Sequence, residues 1–365
     1  MTDLDPWSTD YFASRDRFVA LARACGARTA CHPVRATGAA GEPLFVDTAS
    51  LVPTDTEHLI VLTSGVHGVE GFVGASVQAR ALQRMARDGV PARTGVALVH
   101  AVNPWGFAHL RRVDENNIDV NRNFIDRSRP LPGSPPRYAA LDPLINPRGA
   151  PRAGDEAQFW LRASTLIARD RGITELAGAI AQGQHEFPQG LFYGGADVGE
   201  SCRLLQDIVR ELAADVPRIT HLDLHSGLGP SAVATLIGNG NSGAPEGRAE
   251  RLRAHYRRPV RLDDASDNAY DAQGTLARWY RRAFGDRRYL YLCVEIGTVN
   301  PLKVLSALRR ENRAHHWTAP GSAPYVRTKR ALLDVFAPPS PRWRRESVER
   351  GVQVLERSFD LPRDW

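Results

Sequence analysis

The chain is predicted to adopt an α/β fold, in which strands and helices alternate along the sequence. Short apolar runs, such as 59–62 and 289–294, have the length of buried strands, and longer stretches with helical periodicity, such as 72–87, separate them. We find no internal repeat and no low-complexity tract in the 365 residues. The sequence therefore predicts one main domain rather than an array of repeats.

The elements follow in order from their apolar patterns and from the turn residues between them. Strands are predicted at 59–64, 96–102, 218–225, 232–238 and 289–296. Helices are predicted at 10–25, 72–87, 156–182, 200–214, 246–257, 274–284, 301–313, 325–335 and 343–358. Residues 103–106 are predicted as a turn, and the segment 126–155, rich in Pro, Gly and Arg, is predicted as a long surface loop.

Three parts of the chain are distinguished. We expect residues 1–50 to supply an N-terminal helix and strand that are integrated into the main domain, which occupies residues 51–313. Residues 314–365 are predicted as a helical C-terminal extension. No apolar run approaches the roughly 20 residues of a membrane helix, and the acidic N-terminus lacks the features of a signal peptide. A cytoplasmic location without membrane association is therefore predicted.

The formal net charge is +6, and nearly all the positively charged residues are arginines. These arginines are interleaved with acidic residues, and no basic helix with aromatic stacking partners is found. The sequence therefore predicts no nucleic-acid partner, although a basic surface attracts anionic substrates.

Two histidines and one glutamate form the most informative pattern. His67 and Glu70 follow an apolar strand, and His225 ends a second strand far downstream. Two imidazoles and one carboxylate, with a fourth position open, are a ligand set of catalytic zinc. A lone His-x-x-Glu is also typical of a helix start without a metal, so the other polar groups decide between the two interpretations.

Polar residues that could bind a substrate or take part in catalysis lie between Glu70 and His225 in the sequence. Asn121 and Arg122 could grip a carboxylate, and Asp119 could accept the second ring N–H of a ligand histidine. Arg112 could stabilise an oxyanion, whereas its neighbour Arg111 is predicted to be a surface residue. An ordinary solvated turn is the alternative interpretation of 119–122.

Glu295 ends a strongly apolar strand, where an acid is costly unless it has a task or a partner. Near zinc it could take a proton from water and pass it to a leaving amine. A buried salt bridge is the alternative. Tyr270 lies in a Tyr-x-x-x-Gly-x-x-x-x-Trp segment and could close over a substrate. His221 and Asp223 share a strand face with His225 and are interpreted as core groups or as partners of a ligand.

In this order the motifs resemble the zinc carboxypeptidase (funnelin) family. The resemblance covers roughly residues 50–310 and is closest to uncharacterised bacterial carboxypeptidase-like proteins near the aspartoacylase and succinylglutamate desuccinylase enzymes. It implies a mixed, mostly parallel eight-stranded sheet sandwiched by helices. It also implies one zinc ion on His67, Glu70 and His225, and a pocket-bottom position at Ala277 or Arg278. The choice between those two positions stays open.

The resemblance implies a zinc-dependent hydrolase of an amide bond next to a free carboxylate. A metallocarboxypeptidase that acts on a small peptide is the first expectation. An N-acyl amino acid deacylase of the aspartoacylase type is the main alternative. A non-catalytic protein that binds zinc or another ligand is the third possibility, and a metal assay separates it from the two enzymes.

Overall fold

The computed structural model describes residues 5–131, 133–169, 178–239, 247–263 and 274–363. Its strands are β1 (Arg28–Thr37), β2 (Pro43–Leu51), β3 (His58–Ser64), β4 (Thr94–His100), β5 (Arg218–Ser226), β6 (Ala234–Asn239), β7 (Val260–Asp263) and β8 (Arg288–Ile296). Its helices are α1 (Tyr11–Ala24), α2 (Gly71–Asp88), α3 (Pro104–Ala108), α4 (Pro136–Ile145), α5 (Asp155–Arg169), α6 (Glu200–Leu212), α7 (Arg248–Tyr256), α8 (Leu276–Ala283), α9 (Pro301–Trp317), α10 (Ala323–Phe336) and α11 (Pro341–Phe359).

The eight strands form one mixed sheet with the order β1-β2-β4-β3-β5-β8-β6-β7. The pairs β4–β3, β3–β5, β5–β8 and β6–β7 are parallel, and the remaining three are antiparallel. The predicted fold class, a mixed and mostly parallel eight-stranded α/β sheet, is confirmed.

Helices cover both faces of this sheet because the side chains of its central strands alternate between two apolar cores. Ile60 and Leu62 of β3 point into a core with α1, α2 and α11. Leu59 and Val61 point to the opposite face, into a core with α6 and α8. The sheet is thus sandwiched by helices.

Several local predictions need correction. Residues 126–155 are not one long loop, because α4 lies inside this segment and α5 begins at its end. Helix α9 runs to Trp317, beyond the predicted end at residue 313, and it therefore includes the half-buried His315 and His316. The N-terminal part holds two strands, β1 and β2, where one was expected, and β7 was not predicted.

The C-terminal helices contact the carboxyl ends of strands β5 and β8. The Ser226 hydroxyl donates to the Phe336 carbonyl at 2.8 Å, and Trp343 Nε1 donates to the Gly297 carbonyl at 2.9 Å. Helix α9 continues across residue 313, and the three-part division of the chain stays a prediction.

Among the helices described, none has both the length and the apolar character needed to cross a membrane.

Candidate metal centre

The residues of the predicted metal site lie at the carboxyl ends of neighbouring parallel strands. β3 ends at Ser64, and His67 directly precedes the 3-10 turn Gly68–Glu70. His225 and Glu295 are partners in the parallel pair β5–β8. Since β3, β5 and β8 run in the same direction, these groups share the sheet edge at which open α/β folds bind ligands.

Gly68 lets the turn that carries Glu70 pack closely against the backbone of α3. A Cβ atom on Gly68 would lie 2.0 Å from the carbonyl carbon of Gly106 in α3, so a larger side chain would push the turn away. The Gly68 and Val69 N–H groups donate to the carbonyls of Arg112 and Arg111 at 3.1 and 2.8 Å. The turn is therefore held from two sides.

The three predicted ligands meet atom to atom. His67 Nδ1 lies 2.9 Å from Glu70 Oε1, and His225 Nδ1 lies 3.0 Å from Glu70 Oε2. The two Nδ1 atoms are 3.1 Å apart. In a tetrahedral zinc site with bonds of about 2.0–2.2 Å, neighbouring ligand atoms are roughly 3.3 Å apart. All three residues are buried and form a candidate metal cluster, and their N, N, O donor set fits the implied zinc ion.

Each histidine contacts a carboxylate through Nε2, the ring nitrogen that does not contact Glu70. His67 Nε2 lies 3.1 Å from Asp119 Oδ1, as predicted, and His225 Nε2 lies 2.6 Å from Asp223 Oδ2. A carboxylate at Nε2 holds the proton on that nitrogen and leaves the Nδ1 lone pair for a metal. Both imidazoles are therefore oriented as metal ligands.

Arg112 links the two carboxylates nearest to His67. Its Nη1 donates to Glu70 Oε1 at 3.1 Å and its Nε donates to Asp119 Oδ2 at 3.0 Å. Burial alone would raise the pKa of Asp119, but the charges of Arg112 and His67 outweigh it and lower that pKa well below its usual value. The guanidinium also lies 5.1 Å from the ring centroid of Phe192.

The prediction that Arg111 is a surface residue is wrong. Its side chain is 1% exposed. Its Nε donates to Glu311 Oε1 at 3.0 Å, and its Nη2 donates to Asn117 and Asn312 at 3.0 and 2.9 Å. Lys329 Nζ also donates to Glu311, at 2.9 Å. Arg111 is therefore part of a buried ionic cluster that anchors the segment carrying Arg112.

Glu295 faces the metal cluster from β8. Its Oε1 accepts a hydrogen bond from the Leu228 N–H at 2.8 Å. Burial raises the pKa of Glu295 to about 7, and the nearby charge of Glu70 acts in the same direction, against the opposing charges of His225 and Arg112. A carboxyl group that titrates near neutral pH suits general acid–base catalysis.

Asn121 and Arg122 follow Asp119 directly. The Asn121 side-chain oxygen accepts from the Leu276 N–H at 3.1 Å, at the start of α8. Arg122 donates from Nε and Nη2 to the Ala181 carbonyl at 3.0 and 2.6 Å. Both side chains are half-buried, and these contacts hold them in fixed orientations on the segment that carries Asp119.

The other predicted substrate residues lie on or near α8. Ala277 is buried in the apolar core on the α6 and α8 face of the sheet, and Arg278 is half-buried. The prediction for Tyr270 lies outside the described residues. The choice between Ala277 and Arg278 stays open.

The model of one protein family, described as "Protein of unknown function (DUF2817)", matches residues 7–350. The chain belongs to the DUF2817 family. It is also 32% identical to the regulatory protein RecX of Mycobacterium tuberculosis over 131 residues, which cover 33% of this chain and 74% of RecX. Since the RecX match spans a third of the chain, the family assignment rests on the family model.

Solved structures with a similar arrangement include two enzyme-family proteins. The carboxypeptidase A of Helicoverpa armigera is 12% identical, with 94% of this chain and 73% of that chain covered and a TM-score of 0.48. An aspartoacylase family protein of Mesorhizobium loti is 16% identical, with 85% and 67% covered and a TM-score of 0.40.

Sequence reasoning left one group of site residues unassigned. Asp223 was interpreted as either a core group or a partner of a ligand. In the structure its Oδ2 lies 2.6 Å from His225 Nε2, so it is the partner of a ligand histidine. Thr63 and Tyr291, which donate to Asp223, were not singled out. The Asp-x-His spacing of 223 and 225 is the available signal, because residues two apart on a strand share one face.

Proposed function

We propose that this protein is a zinc-dependent hydrolase of an amide bond next to a free carboxylate, first of all a carboxypeptidase that acts on small peptides. The convergence of His67 Nδ1, His225 Nδ1 and the Glu70 carboxylate at 2.9–3.1 Å supports this proposal most directly. The buried Glu295 at the same edge of the sheet adds a proton acceptor, whose pKa burial raises to about 7.

A zinc ion held by His67, Glu70 and His225 would supply a Lewis acid and acidify a water molecule. Glu295 accepts the proton of the attacking water and then delivers it to the leaving nitrogen. Its hydrogen bond from the Leu228 N–H orients one carboxylate oxygen. The same residue therefore acts first as a base and then as an acid.

Arginine side chains bind the substrate in this proposal. Arg112, held by Glu70 and Asp119, brings a fixed positive charge to the carbonyl oxygen on which negative charge develops. Asn121 and Arg122 bind the free carboxylate of the substrate, and Tyr270, which lies outside the described residues, is the further contact that the sequence predicts for it. Ala277 or Arg278 sets the side-chain preference.

A substrate panel with matched pairs tests the proposal. Zinc-loaded protein is incubated with short peptides, with the same peptides amidated at the C-terminus, and with N-acyl amino acids. We expect release of the C-terminal residue from the free peptides only, because amidation removes the charge that Asn121 and Arg122 bind. Cleavage of N-acyl amino acids alone would favour the aspartoacylase-type deacylase. Stoichiometric zinc without any hydrolysis would favour a non-catalytic zinc protein.

A further inference from the structure

A chain of buried hydrogen bonds lies behind His225 and spans strands β3, β5 and β8. Its centre is Asp223, which is fully buried. Asp223 Oδ2 contacts His225 Nε2 at 2.6 Å and accepts from the Tyr291 hydroxyl at 3.1 Å. Asp223 Oδ1 accepts from the Thr63 hydroxyl at 2.6 Å. Three donors thus converge on a single carboxylate.

The direction of every bond in this chain follows from the donors available. Thr63 has one proton, and Asp223 receives it, so the Thr63 oxygen must accept from His221 Nε2 at 3.2 Å. Burial lowers the pKa of His221 to about 4, so the neutral ring has a single N–H. His221 Nδ1 then accepts from the Tyr289 hydroxyl at 3.0 Å.

We infer that the donor chain Tyr289–His221–Thr63, together with Tyr291, positions Asp223 so that His225 keeps its proton on Nε2 and presents the Nδ1 lone pair to the metal. Thr63 and His221 are positioning residues in this arrangement, since neither contacts the metal ligands directly. The inference rests on the proposed zinc site and adds its supporting residues. Loss of such outer contacts typically weakens metal binding by about 10–100-fold.

Strands β3 and β5 also contain a matched control for Thr63. Thr220 of β5 and His58 of β3 form a second buried Thr–His contact, between Oγ1 and Nε2, at 2.9 Å. Thr220 and Thr63 are both fully buried. His58 stands at the start of β3, whereas Thr63 stands near its end, beside the metal cluster. A threonine-to-valine change at either position removes one hydroxyl of similar burial.

Dissociation constants for Zn²⁺, measured by competition with a chelator, test the inference. For Thr63→Val we expect binding weaker by about tenfold, because the Asp223 carboxylate loses a donor. Thr63→Ser keeps the hydroxyl and should stay within about twofold of the wild type, as should Thr220→Val, which alters no contact of Asp223. Equal affinities of the Thr63→Val and Thr220→Val proteins would overturn the inference.

A second variant covers the case in which Thr63→Val does not fold. Tyr291→Phe removes another donor to Asp223 with little change in shape, and it should also weaken zinc binding relative to Thr220→Val. A Tyr291→Phe protein that binds zinc as tightly as the wild type would overturn the inference as well. A wild-type protein that binds no zinc would overturn the metal site itself, which distinguishes the failure of the proposed function from the failure of this inference.

Discussion

Replacement of Glu295 by glutamine separates catalysis, metal binding and stability in one variant. Glutamine has nearly the same shape, and its side-chain oxygen can still accept from the Leu228 N–H, which lies 2.8 Å from Glu295 Oε1. The variant cannot accept a proton from water. Since general acid–base groups contribute typically about 10²–10⁴-fold, we expect kcat to fall by that factor. Zinc should stay bound, because Glu295 is not one of the three ligands.

Without metal, the glutamine variant should be more stable than the wild type, although its kcat is lower. Burial raises the pKa of Glu295 from its ordinary 4.5 to about 7. A raised carboxyl pKa means that the folded state binds the proton more tightly, so this contribution to stability is full below pH 4.5 and is lost as the pH rises through 7. Linkage over this shift gives a loss of about 3 kcal/mol at pH 8 and about 1 kcal/mol at pH 5. Glutamine does not titrate and avoids that loss.

Urea unfolding of both metal-free proteins at pH 5 and pH 8 provides the measurement, alongside kcat and zinc content at neutral pH. We expect the variant to gain stability over the wild type by about 2 kcal/mol more at pH 8 than at pH 5. A variant with the kcat of the wild type would show that another residue accepts the proton. A stability difference that does not depend on pH would show that Glu295 is not held in a charge-excluding environment.

Three further outcomes are expected. Removal of zinc with a chelator should abolish hydrolysis and one equivalent of zinc should restore it; full activity of the metal-free protein would contradict the metal mechanism. Wild-type kcat/KM should fall tenfold per pH unit below the pKa of Glu295, which is about 7 without metal and lower beside a bound cation, and the E295Q profile should lack this limb. Glu311→Gln should cost about 3–5 kcal/mol of stability in urea unfolding, because Arg111 and Lys329 stay buried with no counter-charge from Glu311. Glu346→Gln removes only the acid of the solvent-accessible Arg342–Glu346 pair of α11 and should change the stability far less, because an exposed ion pair contributes little; equal losses in these two variants would contradict the role of the ionic cluster.

The metal cluster could be predicted from the sequence because its geometry follows from strand ends. His67 and Glu70 lie just beyond β3, and His225 lies at the end of β5. Parallel neighbours end at one edge of the sheet, so residues 155 positions apart in sequence meet there without any further information. The Asp119 contact was predictable for a chemical reason, because a ligand histidine needs an acceptor at its second nitrogen.

Arg111 shows where such reasoning fails. If neighbouring side chains alternated here, Arg111 would point outward wherever Arg112 points inward. Alternation is a property of strands, and this segment is irregular, so both side chains are held inside the protein. The partner of Arg111 is Glu311, 200 positions away in α9. No local pattern indicates a contact of that kind.

The prediction of a loop where α4 lies was wrong for a different reason. The segment 126–155 is rich in proline, which reads as a loop, yet Pro136 occupies the first turn of α4, where its missing N–H costs nothing. Tyr138 supplies the apolar anchor from inside this helix, and its hydroxyl donates to the Leu191 carbonyl at 2.6 Å. Composition alone could not separate a helix-initiating proline from a helix-breaking one.

The charges around the site give an independent reason to expect a cation there. Glu70, Asp119, Asp223 and Glu295 bring four carboxyl groups into the protein interior, and all four are buried. Arg112 contacts two of these groups. Buried carboxylates are costly without compensation, which must come from added protons or from a metal ion.

His225 shows this compensation in the metal-free protein. Burial alone would lower its pKa, but the carboxylates of Asp223 and Glu70 outweigh burial and raise the pKa well above the usual value. A divalent cation bound by these residues would therefore compete with protons for the same acidic groups, and its binding would release protons. The combined charge of the buried acids therefore favours the binding of a divalent cation over an unoccupied site.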